Sequence, residues 1–419
     1  MDPAGLLHGD VLANVLGRLM PRSLAACRSV CKAWCNVVDA HGLLRKDLLP
    51  LSLAGIFVVY GFVDDKYLPP AFLSRPSFVG KIQGNLGYLD DVHDSWSHMT
   101  GHCNGLLLLW GGVANPATRQ WVSLPHPDWI GIKGFVERDW LAFDPTVSPH
   151  FEVFSMQCVS RRYENQAELV PANPNSEWPP SPYIISAFSS ETWRWEQRSF
   201  VREGTAPRSI DPKLLPLMKD VFSHDAVYWR GRLYVYNIFF IIRLDLEDNK
   251  YRVIQLPPTI NEAPGDILPH LGKSEKGVYY GFTHSNWCNF QVWFLNESID
   301  HTEWMLKLEI DLKPLLENFP WEHSHGSWFV QGVRDYDDET LDEEIAFFSN
   351  YITSILGFHP YKEIIFLRTS HMRAMAYHLS SSKVEDLGCL PLAGDDSIKA
   401  SFVYTPCWME NCLIANTEL

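Results

Sequence analysis

The sequence HCNGLLLLWGGVANPATRQW, residues 102–121, contains the pattern that most of the chain repeats. Short apolar runs are joined in it by polar turns, and the stretch ends on an aromatic residue. Apolar runs of four to eight residues bounded by Gly, Pro, Asn or Ser are typical of β-strands. This stretch therefore predicts short strands connected by tight turns.

Related units recur along the chain, and four of the five have a turn position followed six residues later by a strand residue. They are NPATRQW at 115–121, SSETWRW at 189–195, DLEDNKY at 245–251, HLSSSKV at 378–384 and, more loosely, FLNESIDHTEW at 294–304. With four strands per unit, the pieces fall at about 98–125, 139–199, 225–257, 267–310 and 355–389. Four-stranded repeats of about 50 residues predict a kelch-type β-propeller.

The two ends of this repeat region offer a way to close the sheet. SFVYTPCW at 401–408 is a strand with nothing after it to pair with, and IFVVYGF at 56–62 is a strand near the start. Pairing between them would remove exposed strand edges. We therefore predict a ring of five or six blades.

Composition agrees with a mainly β protein that has a small α domain. The chain has 419 residues, of which 46% are hydrophobic and 20% are charged. Its 16 Trp, 16 Tyr and 23 Phe favour pleated, half-buried surfaces.

Residues 6–40 carry two apolar stripes at helical spacing, with Asp10 placed to cap the first helix. Met20 and Pro21 separate the stripes, and the second helix is expected between Ser23 and Gly42. The stripes consist of Val11, Leu12, Val15, Leu16 and Leu19, and of Leu24, Cys27, Val30, Cys31, Trp34, Val37 and Val38. A unit this small needs a partner for its spare apolar face.

The pattern L-x-x-D-V-L-x-x-V-L-x-R-L-x-P-R-S-L-x-x-C-R-x-V-C-K-x-W-x-x-V-V, which runs from Leu7 to Val38, resembles an F-box. His8 and Met20 depart from it, because the family usually has proline at both positions. In that family the motif binds the Skp-type adaptor of a cullin-RING ubiquitin ligase. The resemblance implies adaptor contacts by Leu7, Val11, Leu12, Val15, Leu16, Leu19, Pro21 and Leu24, and a structural core of Val30, Trp34 and Val37.

Four further segments look like the plant F-box-associated, kelch-like domain: CNGLLL at 103–108, NPATR at 115–119, AFDP at 142–145 and GFHP at 357–360. The first Phe-x-Pro signature begins with alanine rather than glycine, and the second has His359 in place of aspartate. Asn115, Pro116 and Thr118 are interpreted as turn residues. The predicted organisation is an F-box at 5–45, a linker with the first strand at 46–97, a kelch-like propeller at 98–408 and a tail at 409–419.

These resemblances together imply a substrate-recognition subunit of an SCF-type (Skp–cullin–F-box) E3 ubiquitin ligase. Such a chain would bind the Skp-family adaptor, and through it the cullin and RING subunits, and would present a protein substrate without catalysing ubiquitin transfer. Two alternatives stay open. One is a propeller interaction scaffold with a degenerate F-box, and the other is a propeller enzyme.

Charge and motif content narrow the function classes. A formal net charge of −15 and a pI of about 5.5 argue against a nucleic-acid partner. No signal peptide or membrane-spanning run is apparent, and nine irregularly spaced cysteines suit a reducing compartment, so a cytoplasmic or nuclear location is expected. The acidic run DYDDETLDEE at 335–344 is interpreted as a solvated loop.

The sequence contains candidate metal ligands but no complete metal-binding or catalytic motif. Three groups have ligand-type side chains: His98, His102 and Cys103; Glu322, His323 and His325; and Cys27, Cys31 and Cys35. None follows a recognised zinc spacing. Nucleophile elbows and phosphate-binding loops are also missing from the sequence. We therefore predict no metal, cofactor or catalytic residue.

Overall fold

The computed structural model describes a defined part of the chain. It covers residues 9–16, 24, 27–28, 30–41, 43, 53–60, 62–63, 66–67, 70–76, 82, 84, 86–89, 99–126, 135–159, 178–205, 226–237, 239–257, 268–274, 276–283, 289–298, 301–317, 326–331, 352–369, 372–390, 398–409 and 412–413.

Helices are few and short within these residues. They are α1 Gly9–Leu16, α2 Lys32–Ala40 and α3 Lys313–Glu317, with one turn of 3-10 helix at Gly87–Leu89. Because α1 begins at Gly9, Asp10 lies inside its first turn rather than at the predicted cap. The second predicted helix is interrupted, because Cys31 is extended, with φ −162° and ψ 164°, and α2 begins only after it.

The rest of the described chain is mainly β. In chain order the strands are β1 Gly55–Tyr60, β2 Phe62–Val63, β3 Lys66–Tyr67, β4 Ala71–Ser74, β5 Met99–Cys103, β6 Leu106–Leu109, β7 Gly112–Asn115, β8 Gln120–Ser123, β9 Phe135–Ala142, β10 Glu152–Val159, β11 Tyr183–Ser189, β12 Arg194–Arg202, β13 Ala226–Trp229, β14 Arg232–Asn237, β15 Phe240–Asp245, β16 Lys250–Gln255, β17 Leu268–Ser274, β18 Gly277–Thr283, β19 Asn289–Glu297, β20 Thr302–Asp311, β21 Phe329–Gln331, β22 Ile352–Phe358, β23 Ile364–Thr369, β24 Arg373–His378, β25 Val384–Cys389 and β26 Ile398–Tyr404.

Most sheets are antiparallel runs of four consecutive strands: β5–β8, β9–β12, β13–β16, β17–β20 and β22–β25. The second and third runs join into one eight-stranded sheet through a short parallel pairing, in which Val201 and Arg202 lie opposite Lys250 and Tyr251. The five pieces predicted from the repeats correspond to these five runs.

One further sheet is assembled from distant parts of the chain, in the order β21-β4-β1-β26. Its central pairing places Phe57 opposite Phe402 and Val58 opposite Ser401. The predicted pairing of the last strand with residues 56–62 is therefore confirmed. The segment predicted as a linker with one strand contains β1 to β4, and two of these strands belong to this sheet.

The repeat alignment is confirmed by the backbone at one shared turn position. In the four close repeats, the fifth residue of the seven-residue sequence that begins at the turn is left-handed. Arg119 has φ 57°, Trp193 56°, Asn249 52° and Ser382 54°. A left-handed residue just before the second strand gives a tight connection the twist that suits a hairpin. The six-residue spacing seen in the sequence thus reflects one turn geometry.

The core lies between neighbouring sheets, where inner strands such as β14, β15 and β18 are covered on both faces. In β14, for example, Leu233 and Val235 pack in the cluster shared with β9–β12, whereas Tyr234 packs in the cluster shared with β17–β20. Successive side chains of a strand point to opposite faces, so a strand buried on both sides is apolar throughout. Six such clusters fill the spaces between the four-stranded groups. We call residues 53–413 the β body.

One edge strand from each four-stranded group faces a common interior. These strands contact one another in the order β5, β9, β13, β17, β22 and β26, and β26 also contacts β5. This arrangement brings residues from six distant parts of the chain together.

Candidate functional site

The described residues between 9 and 43, which we call the helical module, have a small core of their own. The buried side chains are Leu12, Leu16, Leu24 and Val38, and Cys27, Trp34, Val37 and Leu43 pack against them. Helices α1 and α2 contact each other directly. The module therefore hides its apolar residues only on the side where the two helices meet.

The residues predicted to contact an adaptor divide into buried and exposed groups. Leu12, Leu16 and Leu24 are at most 4% exposed and lie in the module core. Val11 and Val15, one turn apart on α1, are 49% and 53% exposed. The other predicted contacts, Leu7, Leu19 and Pro21, lie outside the described residues.

Two of the three residues predicted to form the structural core of the module pack against that core. Trp34 and Val37 are half-buried against it, but Val30, predicted to lie inside, is 63% exposed. Val30 lies in the turn just before the extended Cys31, where the helical periodicity that placed it inward is lost. Val30 is therefore a surface residue.

A bidentate ion pair ties the two parts of the module together. Arg28 Nε and Nη2 donate to the two carboxylate oxygens of Asp39 at 2.8 and 2.9 Å. The hydrogen bond from Arg28 is the main reason why the pKa of Asp39 lies below its ordinary value. Cys35 Sγ also donates to Asp39, at 3.5 Å. This carboxylate therefore bridges residues that lie before and after the Cys31 break.

Three turns of the β body place a side-chain acceptor before a proline. Asn115 Oδ1 accepts from the backbone N–H of Ala117 at 3.1 Å, and Asp144 Oδ1 accepts from that of Thr146 at 3.0 Å. In the third, His359 Nδ1 accepts from the backbone N–H of Tyr361 at 3.1 Å. The structural interpretation of the Asn115 turn is confirmed, and His359 takes the role that aspartate has in the second turn.

A cavity of about 70 Å³ lies at the centre of the β body. All six interior edge strands contribute to its lining, from β5 through β26. Its polar side chains include His102, Asn104, Tyr228, His270 and Lys273, and each of them is half-buried. The cavity is the place where the chain brings its most distant polar residues together.

Asn104 links three sheets at this cavity. It follows β5 in a hairpin turn with Gly105, and both residues are left-handed, with φ 45° and 95°. A Cβ at position 105 would lie 2.5 Å from the backbone N of Cys407, so only glycine fits there. Asn104 Nδ2 donates to Phe143 O at 2.6 Å, and its Oδ1 accepts from Lys273 Nζ at 2.6 Å.

Burial shifts the pKa values of three groups around the cavity. It lowers the pKa of His102 to about 3, and the nearby Lys273 and His270 act in the same direction. It raises the pKa of Cys103 to about 11 and that of Tyr228 to about 12. At neutral pH these three side chains are therefore uncharged.

His102 and His98 were candidate metal ligands by sequence, whereas no sequence signal marked Lys273 or His270. The structure places His102 close to both of them. His98 and residues 322–325 lie outside the described residues. Among those that the structure does describe, no three His, Cys, Asp or Glu side chains form a group that could hold a metal ion. None of the helices in this part of the chain is long and apolar enough to cross a membrane.

The N-terminal segment is similar to a known domain family. Residues 7–46 match the family model of the F-box domain. The F-box protein At5g07610 of Arabidopsis thaliana is 25% identical over 337 residues, which cover 74% of this chain and 72% of the relative. The F-box protein At3g20690 of the same plant is 22% identical over 369 residues, which cover 82% of this chain and 85% of the relative. These matches support an F-box domain at the N-terminal end of a plant-type F-box protein.

A solved structure with a partial likeness is the DUF4784 family protein of Bacteroides caccae. It is 10% identical, with a TM-score of 0.34 over 83% of this chain and 73% of that protein. The assignment rests on the F-box match and on the Arabidopsis relatives.

Proposed function

We propose that this chain is a substrate-recognition subunit of an SCF-type ubiquitin ligase and catalyses nothing itself. The observation that carries the proposal is the F-box match at residues 7–46, which covers the helical module. In this role the module binds a Skp-family adaptor, the adaptor connects to cullin and RING subunits, and the β body holds a protein substrate. The complex would act in the cytoplasm, the nucleus or both.

The exposed valines of α1 are the adaptor contacts that we favour. Val11 and Val15 form a short apolar strip on a helix whose other apolar residues are buried. Covering exposed apolar side chains stabilises a complex by about 25 cal/mol per Å² of area removed from water. The strip is small, so the contact must extend to neighbouring residues of the module.

The β body serves this function best as a six-bladed propeller. Six four-stranded groups, six clusters between them and the cyclic order of contacts between edge strands support this arrangement. The pairing of β1 with β26 would then fasten the two ends of the ring in one blade. Loops at one end of such a body can vary without disturbing the core, which suits a substrate-binding surface.

Co-purification of the full chain with a Skp-type adaptor tests the function. We expect wild type to retain the adaptor and the double variant Val11→Asp, Val15→Asp to lose it, because charge would replace the exposed apolar strip. Val147→Asp, at a 76% exposed valine of the β body, is the matched control and should bind like wild type. Leu16 is a poor choice for this test because it is only 1% exposed, and a charge there would unfold the module.

Two results would argue against parts of this proposal. Equal adaptor recovery with wild type and the double variant would show that the α1 strip is not the contact, while leaving the function itself supported. Failure of wild type to bind, together with binding by a His8→Pro, Met20→Pro variant, would favour the scaffold with a degenerate F-box. Circular dichroism of each variant should be compared with wild type, so that loss of folding is not mistaken for loss of binding.

A further inference from the structure

Two cysteines lie together in the described residues that follow β26, 405–409 and 412–413, which we call the C-terminal segment. Cys407 and Cys412 are free thiols, and they are 5% and 4% exposed. Both belong to one buried cluster with residues of β6 and β7 such as Leu106 and Val113. The C-terminal segment is therefore packed on the β5–β8 sheet through the same residues that carry the two thiols.

Asn115 contacts both cysteines with one nitrogen atom. Its Oδ1 accepts from the backbone N–H of Ala117 within the turn, and its Nδ2 points to the C-terminal segment. Nδ2 donates to the backbone carbonyl oxygen of Cys407 at 2.9 Å and lies 3.6 Å from Cys412 Sγ. Asn115 is fully buried, so water does not compete for these contacts. One side chain thus holds the two cysteines beside each other.

The two thiols interact directly and are not equivalent. A hydrogen bond between their side chains raises the pKa of Cys407 well above its ordinary value, and burial acts in the same direction. The same hydrogen bond is the main reason why the pKa of Cys412 is lowered, although burial opposes this shift. The amide of Asn115 also helps to lower it. The thiolate is the reactive form of cysteine, so Cys412 is the nucleophile of the pair.

Cys103 is a buried thiol of the same cluster with the opposite chemistry. It is 4% exposed, as Cys412 is, but its Sγ donates to Phe143 O at 3.2 Å. Burial raises the pKa of Cys103 to about 11. Equal burial thus gives opposite pKa shifts, because Cys412 receives hydrogen bonds from two neighbouring groups and Cys103 donates one.

The low exposure of the pair restricts which oxidant can reach it. Hydrogen peroxide is little larger than water, whereas glutathione is a tripeptide that cannot enter a site with so little open surface. Because the two thiols are already hydrogen-bonded, only a small movement separates their sulfur atoms from the disulfide distance of about 2.05 Å. The site therefore favours an internal disulfide over a mixed disulfide with a larger thiol.

We propose that Cys407 and Cys412 form a disulfide in response to hydrogen peroxide, at the place where the C-terminal segment packs on the β5–β8 sheet. Cys412 is the thiol that is oxidised first, and Cys407 completes the bond. This modification goes beyond the ligase function and does not depend on the F-box.

The reaction takes place in two steps. Cys412 Sγ attacks one peroxide oxygen, the O–O bond breaks, and the departing hydroxide takes up the proton that Cys412 has lost, which leaves a sulfenic acid and one water. Cys407 Sγ then attacks the sulfur of Cys412, the S–O bond breaks, and the hydroxyl group leaves with the Cys407 proton as a second water. One peroxide is reduced to two waters while two thiols are oxidised to one disulfide.

Peptide mapping by mass spectrometry of the full chain tests the proposal. The reduced protein is treated with hydrogen peroxide at pH 7, and the remaining thiols are then blocked. We expect a disulfide between Cys407 and Cys412 in folded wild type, and dithiothreitol should reverse it. Cys407→Ser should form no such bond and leave Cys412 as a sulfenic acid that dimedone labels. Cys412→Ser should leave Cys407 as a free thiol.

Cys103→Ser is the matched control. It removes an equally buried thiol from the same cluster and should form the disulfide between Cys407 and Cys412 as wild type does. The exposed Cys389 reports on access, because a bulky aromatic disulfide reagent should modify it in the folded protein and leave the pair reduced. Circular dichroism checks the fold of each variant, and if one serine variant of the pair fails to fold, the other still provides the test.

Four results would overturn the proposal. The first is a folded wild type in which both thiols stay reduced after peroxide treatment, and the second is a disulfide between either of them and a different cysteine. The third is bond formation only after unfolding in urea, which would show that the folded thiols do not meet. The fourth is dimedone labelling of Cys407 in Cys412→Ser without labelling of Cys412 in Cys407→Ser, which would reverse the assigned roles. Adaptor co-purification is a separate measurement, so failure here leaves the ligase function standing.

Discussion

The helical module and the β body keep their apolar residues from water in different ways. The described core of the module consists of four buried side chains, and three of its valines are about half or more exposed. The β body buries its inner strands on both faces and leaves apolar side chains exposed on outer strands such as β12 and β20; the largest of its fully buried side chains are tyrosines and phenylalanines. A core of four side chains fits a unit that is completed by a partner, whereas a body with six large buried clusters can stand alone.

Substitution of Phe57 in the core of the β body should cause the largest loss of stability among these predictions. Its side chain is fully buried, with ring centroids 4.6 Å from Phe72 and 5.2 Å from Tyr404. Phe57→Ala should lower the free energy of unfolding by about 3–5 kcal/mol, because it leaves a cavity in the sheet where the first and last strands pair. Denaturant unfolding followed by tryptophan fluorescence measures this loss. Val201→Ala, at a 56% exposed strand position, is the control and should change stability by less than about 0.5 kcal/mol.

Leu16 and Val15 are neighbours on α1, and substituting each of them should distinguish an effect on module stability from an effect on adaptor binding. Leu16 is 1% exposed, so Leu16→Ala should destabilise the module by about 2–5 kcal/mol and thereby abolish adaptor binding. Val15→Ala, at a 53% exposed position, should leave folding almost unchanged but weaken the adaptor complex. Far-UV circular dichroism and adaptor co-purification check the two effects. A Leu16→Ala protein with wild-type melting and binding would contradict the described core of the module.

Local features of the fold were predictable from sequence because short-range chemistry determines them. The four seven-residue turn sequences identified four hairpins. The fifth residue of each sequence, from Arg119 to Ser382, has a left-handed backbone. Helical periodicity put Val11, Leu12, Val15 and Leu16 in one stripe, and it could not tell that Leu12 and Leu16 are buried in the module while the two valines are exposed. It also misplaced Val30, because nothing in the apolar spacing marks the extended residue that follows it.

Long-range features were less accessible, apart from the pairing of the first and last strands. Strand β21 lies beside β4, with Phe329 opposite Ser74, although β21 falls outside the five repeat pieces recognised in the sequence. The cavity depends on a contact between Asn104 and Lys273, which are 169 residues apart. Neither residue carries a periodic or spacing signal that links it to the other, so only the packing of the sheets brings them together.

His359 makes the β body sensitive to mild acid. Its Nδ1 must stay unprotonated to accept from the Tyr361 N–H, and burial lowers the pKa of His359 to about 4, with Lys362, Arg75 and His378 acting in the same direction. Between the ordinary histidine pKa of 6.5 and pH 4, the unfolded chain takes up a proton that the folded chain does not. The free energy of unfolding should therefore fall as the pH is lowered through this window, by on the order of 2–3 kcal/mol from this residue.

The variant His359→Asn keeps a side-chain acceptor before proline, as Asn115 does, but cannot titrate. Urea unfolding at pH 7 and pH 4.5 should show a smaller loss of stability for this variant than for wild type. Some loss should remain, because His102 has a lowered pKa for the same main reason. An unchanged pH dependence in the variant would show that the imidazole of His359 is not buried as described.

The ion pair between Arg28 and Asp39 gives the module a different and smaller acid response. The Asp39 side chain is 47% exposed, so the pair should contribute only about 0.5–1 kcal/mol. Because the pKa of Asp39 is lowered in the folded chain, this contribution is present above the ordinary value of 3.8 and is lost as the pH falls below it. A double-mutant cycle with Asp39→Asn and Arg28→Gln, followed by module melting at pH 7 and pH 3, measures the coupling. Coupling at pH 7 that is weaker at pH 3 supports the bidentate pair, and coupling near zero at both values contradicts it. The two regions would then differ in their pH windows as well: His359 weakens the β body between pH 6.5 and 4, where the Arg28–Asp39 pair still stabilises the module.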